Sequence, residues 1–108
     1  MNHEVTSISG VTVVALKGEV DLENSPAARQ LLLQCIDDAA QVLVDLSGVT
    51  YIDSSGVASL VEALQASRKN GTGFALAAAS EPTRRVLELA RLDRVFTIHE
   101  TVDSGLAG

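Results

Sequence analysis

The chain has 108 residues, 46% of them hydrophobic, with one tyrosine, two phenylalanines and no tryptophan, so its core must be aliphatic. That length suits one domain, and no apolar run approaches the roughly 20 residues that span a bilayer, which excludes direct membrane insertion. The net charge of −6 resides in residues 1–53, the remainder being balanced; an acidic half excludes a nucleic-acid surface, which rewards clustered Lys and Arg.

Two short strands open the chain. Glu4 to Ile8 alternates weakly, Ser9-Gly10 makes a turn, and Val11 to Lys17 is rich in β-branched residues. Asn24-Ser25-Pro26 reads as a helix start, with a capping side chain and proline in the first turn. Ala28, Leu31, Leu32, Cys35, Ile36 and Ala39 recur at helical spacing as one apolar face. Val42 to Leu46 is a nearly continuous apolar run, the pattern of a strand covered on both faces.

After Ser47-Gly48, Val49 to Ile52 leads into a second helix from Ser54 to about Lys69, facing inward with Val57, Leu60, Val61 and Leu64. Asn70-Gly71 closes it with residues that accept the left-handed conformation. Phe74 to Ala79 is the next buried strand. Ser80-Glu81-Pro82 starts a third helix whose inward side is Val86, Leu87 and Ala90, and a last strand runs from Val95 to about His99. Residues 104–108 are expected to be a mobile tail. The order β-β-α-β-α-β-α-β predicts a single α/β domain over residues 1–108, with its core at about 4–100. Its sheet is mixed and mostly parallel, with helices packed against it.

Asp53-Ser54-Ser55-Gly56 falls where a loop enters the second helix. Asp53 or Ser54 suits the N-cap, where a side-chain oxygen accepts from the first unpaired N–H groups. A phosphate on Ser55 would lie over first-turn N–H groups and the positive end of the helix dipole. It would add about two negative charges to an already acidic surface without unfolding the domain. A nucleophilic serine needs a base, and the histidines, His3 and His99, fall in the first and last strands; Gly-x-Ser-x-Gly is absent as well. The expectation is a switch with no catalytic residues, not an enzyme.

Gly18-Glu19-Val20-Asp21, followed by a helix and then by Val42-Leu43-Val44-Asp45-Leu46-Ser47-Gly48-Val49-Thr50-Tyr51-Ile52-Asp53-Ser54-Ser55-Gly56-Val57, resembles the STAS domain over roughly residues 5–100. The likeness is to bacterial anti-sigma factor antagonists in particular. It implies that the second serine of the pair, Ser55 rather than Ser54, is the phosphorylation site. It implies an anti-sigma factor with an ATP-binding kinase fold as partner and kinase, and a PPM-type phosphatase that reverses the modification. The unmodified form would bind the anti-sigma factor and free a sigma factor. Asp21 would stand beside the phosphoserine at the partner surface, with Glu19, Asp53, Ser54 and Gly56 as further partner-binding residues. The oligomeric state stays open. Relatives that serve lipid-transporting ABC complexes as accessory subunits, or that bind small molecules, supply the alternative readings.

The remaining features have plainer readings. The acidic half suits either a basic protein partner or solubility. Glu19, Asp21 and Asp53 are read as partner-surface carboxylates rather than a metal site, since no loop spacing brings enough oxygens together. A response-regulator receiver needs an acidic pair and a late Lys around its aspartate, and Asp45 stands alone. Gly71-Thr72-Gly73 is a helix-ending turn, too short for a phosphate loop. Cys35, the single cysteine, reads as a buried structural thiol that suits a reducing compartment. With no secretory signal in Met-Asn-His-Glu-Val, it points to the cytoplasm. Arg84, Arg85, Arg91 and Arg94 form either a solvated face or a second contact surface. No cofactor is expected.

Overall fold

In the computed structural model, which describes residues 1–107, β1 (Asn2–Ile8) and β2 (Val11–Val20) form an antiparallel hairpin. Ser9 and Gly10, both at positive φ, make its two-residue turn, whose twist matches that of the strands it joins. Then follow α1 (Ser25–Asp38), β3 (Gln41–Ile52), α2 (Ser54–Asn70), β4 (Gly73–Ala77), α3 (Glu81–Leu89), a 3₁₀ turn at Leu92–Arg94, β5 (Ile98–His99) and α4 (Val102–Ala107). The sheet order is β1-β2-β3-β4-β5, parallel at every pairing after the first hairpin. This is the mixed, mostly parallel α/β sheet that the element order predicts, with one short helix added at the end.

β2 and β3 form the centre because they bury side chains on both faces. Val14, Leu16, Val44 and Leu46 join the main core against the helices, while Val13 and Leu43 face the opposite side. α1 presents Ala28, Leu32 and Ile36 to the main core and α2 presents Val57, Leu60, Ala63 and Leu64. α2 ends at Gly71, whose φ of 72° is the left-handed cap that Asn70-Gly71 foreshadows. On the other face α4 packs Val102 and Leu106 against Val11, Val13, Leu43 and Ala77.

Several boundaries differ from the sequence reading. Ser47-Gly48 does not break β3; the strand runs on to Ile52, and the irregularity is absorbed as register shifts against β2 between Ala15 and Lys17 and between Gly18 and Glu19. The last strand is two residues long, since Leu92–Arg94 turns as a 3₁₀ helix and Phe96 plugs the core beside Phe74 instead of pairing. α3 buries Thr83 and Leu87, while Ala90 is exposed past the helix end. α4 spans residues 102–107 and so takes in residues 104–107 of the expected tail; Gly108 lies outside the described residues.

Candidate functional site

β2 and β3 run parallel and end together, Val20 pairing with Ile52. The β2–α1 loop and the start of α2 therefore leave the sheet side by side. This juxtaposition brings Glu19 and Asp21 to the same end of the sheet as Asp53, Ser54, Ser55 and Gly56, residues that the sequence separates by a helix and a strand.

Asp53 is the N-cap of α2. Its Oδ1 accepts from the N–H groups of Ser55 at 2.9 Å and Gly56 at 3.2 Å, and its Oδ2 accepts from the Leu22 N–H at 3.2 Å. One carboxylate thus starts the helix and holds the neighbouring loop. Of the two capping candidates it is Asp53, not Ser54, that caps. The first-turn amides are consequently not all open to a phosphate: those of Ser55 and Gly56 already donate to Asp53, and a phosphate on Ser55 would meet that carboxylate as well as the helix dipole.

The loop is pinned at several points. Asp21 Oδ1 accepts from the Asn24 N–H at 3.0 Å, and the Asp21 carbonyl accepts from the Ser25 N–H at 2.8 Å. The side-chain cap expected at the start of α1 is not formed: Asn24 holds the N-cap position, but its Nδ2 donates to the Glu19 carbonyl at 3.1 Å. The buried Ser59 hydroxyl lies 3.1 Å from both the Ser25 and Ser55 carbonyls and so joins the starts of α1 and α2.

Gly56 fits because α2 begins against the sheet. A Cβ there would stand 2.3 Å from the Val20 carbonyl oxygen and 2.7 Å from Ile52 Cγ1. Ser54 is exposed. Ser55 is half-buried and lines a shallow groove between α1 and α2 with Leu22, Pro26, Arg29, Ala58 and Glu62. Arg29 and Glu62 are paired across it at 3.4 Å, both well exposed, a pairing that contributes little to stability.

Other candidates lie elsewhere. His3 and His99 are on β1 and β5, the two edge strands. Among the described residues no group of three or more His, Cys, Asp and Glu is placed to hold a metal ion. Arg84 and Arg85 lie on α3, where exposed Arg85 pairs with Glu81, while Arg91 precedes the 3₁₀ turn and Arg94 ends it; none of the four lines the groove at Ser55. Cys35 is half-buried on α1; burial, and then the Asp38 carboxylate, push its thiol above the ordinary range. Leu22 is the residue that sequence reasoning passes over. It belongs to no apolar periodicity, and its only sequence signal is a leucine standing alone among Glu19, Asp21 and Glu23.

The model of the STAS domain matches residues 2–105. The chain belongs to the STAS domain family. The anti-sigma-F factor antagonist RsfB of Mycobacterium tuberculosis is 28% identical over 105 residues, covering 96% of this chain and 85% of its own. The anti-sigma-B factor antagonist of Bacillus subtilis is 26% identical, covering 98% and 97%. Among solved structures, an anti-sigma factor antagonist from Mycobacterium paratuberculosis superposes with a TM-score of 0.90 at 31% identity, covering 98% and 91%. This STAS chain has no helix among its described residues long and apolar enough to cross a membrane.

Proposed function

We propose that the protein is an anti-sigma factor antagonist, a partner-switching regulator controlled by phosphorylation of Ser55. The observation that carries this reading is the placement of Asp53-Ser54-Ser55-Gly56 at the start of α2, within a fold shared along nearly its whole length with proteins named for that role. The unmodified chain binds an anti-sigma factor of kinase fold in the cytoplasm and so frees a sigma factor. That partner phosphorylates Ser55, and a PPM-type phosphatase restores the free hydroxyl. In this reading the protein is a substrate and a ligand of other proteins, not an enzyme.

The physical basis is charge on a docking face. Ser55 lines a groove flanked by the acidic β2–α1 loop, and its phosphate brings about two further negative charges. A partner matched to the unmodified face loses complementarity without any change of fold. Glu19, Asp21, Asp53, Ser54 and Gly56 belong to this face, Asp53 and Gly56 by shaping it and the others by exposure or charge. The lipid-transport and small-molecule readings have no observation of comparable weight behind them.

The test is incubation with ATP and the host's kinase-fold anti-sigma factors, followed by mass spectrometry. Phosphate on Ser55 is the expected result; none at all, or phosphate only at sites other than Ser54 and Ser55, overturns the switch. Ser55→Asp weakens binding to the anti-sigma factor and Ser55→Ala retains it. Equal binding by both rules out a charge switch at Ser55.

A further inference from the structure

Leu22 is 74% exposed in a loop that hydrogen bonds hold on both sides of it. Single exposed leucines are common and need no explanation by themselves. What sets this one apart is the rigidity of its support. The Leu22 N–H donates to Asp53, Asn24 donates back to the Glu19 carbonyl, and the Asp21 side chain and carbonyl hold the residues that follow. The backbone is thus hydrogen-bonded on both sides of a large apolar side chain that lines the same groove as Ser55. A group held this way docks without the entropic loss of ordering a loop, the condition under which one apolar side chain contributes most to binding.

The surroundings state what would receive it. Glu19, Asp21 and Glu23 flank Leu22 in sequence and Asp53 holds its amide, while Arg29, the base lining the groove, is taken up by Glu62. Tyr51, half exposed, pairs in register with Glu19 at the same end of the sheet. Leu89 offers a contrast. It is 80% exposed on α3, but Glu88 and Arg85 lie beside it in the helix and no single sign of charge surrounds it.

We propose that Leu22 is the apolar anchor of the docking surface and inserts into a partner pocket rimmed by basic side chains. This rests on the antagonist reading and assigns it a specificity-determining residue. The acids steer the encounter and set its salt dependence, while Leu22 sets how long the complex lasts. Ser55 borders the same groove, so its phosphate changes the charge at the place where the anchor seats.

The experiment titrates the full chain by calorimetry against each purified anti-sigma factor of its host. Wild type binds one of them; Leu22→Ala weakens that binding about tenfold or more, the scale of an interface hot spot. Leu22→Met recovers most of the loss, and Leu89→Ala binds as wild type does. Added salt weakens the wild-type complex, and Glu19→Gln with Glu23→Gln flattens that dependence. Thermal melting of Leu22→Ala matches wild type, because the side chain is already in water. If wild type binds and Leu22→Ala binds equally tightly, the anchor is wrong and the antagonist reading survives. If wild type binds none of them, the antagonist reading falls and the anchor falls with it.

Discussion

Asp53 and Leu22 lie 31 residues apart in sequence and meet through one hydrogen bond, the Leu22 N–H donating to Asp53 Oδ2 at 3.2 Å. The other oxygen of the same carboxylate caps α2 through Ser55 and Gly56. The two functions are separable by chemistry. Asn caps a helix about as well as Asp, but an amide has only one acceptor oxygen.

Asp53→Ala is therefore expected to lose both functions and to destabilise the domain by about 1–2 kcal/mol, the upper part of the range for a lost N-cap. Asp53→Asn keeps the cap and loses the tether. Urea denaturation measures the first effect. Amide hydrogen exchange at Leu22 measures the second, rising in both variants while the first turn of α2 stays protected only in Asp53→Asn. Unchanged exchange at Leu22 in both would show that the tether does not hold the loop.

Gly56→Ala tests how closely α2 is set on the sheet. The added methyl would overlap the Val20 carbonyl and the Ile52 side chain, and the former is backbone that must move as a whole. An overpacked site of this kind costs about 1–3 kcal/mol, although alanine is otherwise the better helix former. The expected result is a lower denaturation midpoint, with Ala58→Gly, on the exposed side of the same helix, losing no more than about 1 kcal/mol.

Much of the fold is legible in the amino-acid sequence. The apolar stripes of α1 and α2 and the run in β3 point to their partners because period and burial agree in them. Element ends are less legible for local reasons. Ser47-Gly48 carries turn residues, yet β3 continues through it because β2 takes up the shift. Residues 95–97 read as strand, yet Phe96 packs against Phe74 across the core, a contact no local pattern encodes. At the site, Asp53-Ser54-Ser55-Gly56 stands out as a helix start. Leu22 does not, because what ties it to the site is a hydrogen bond to a residue on another element.

Thr72→Val addresses the joint between the ends of α1 and α2. The Thr72 hydroxyl is buried and lies 3.1 Å from the Ile36 carbonyl and 3.3 Å from that of Ala39, while Asn70 Nδ2 donates both to Ile36 and to Thr72 Oγ1. Valine keeps the shape and removes the donor. An unsatisfied buried polar group costs about 1–3 kcal/mol, and Asn70 limits this by still serving Ile36. The prediction is a loss near the low end of that range by thermal melting. In Thr72→Val combined with Asn70→Ala the loss exceeds the sum of the single losses, since the second change removes the remaining donor to Ile36.

Cys35 gives a pH-dependent test. Burial, and after it the Asp38 carboxylate, raise its pKa by disfavouring the thiolate. The folded state therefore holds the proton to higher pH than the unfolded chain does. The stability this contributes is fully present below the unfolded pKa and disappears as pH rises through the higher folded one, so melting temperature should decline on the alkaline side. Reactivity follows the same sign, because the thiolate is the nucleophile. At mildly alkaline pH a thiol reagent should modify folded protein several-fold more slowly than protein in denaturant. Asp38→Asn should speed the folded reaction only in part, since the larger cause, burial, is left in place. A folded-state rate equal to the denatured one would mean that α1 does not shield Cys35, and the apolar face read from its spacing would have to be redrawn.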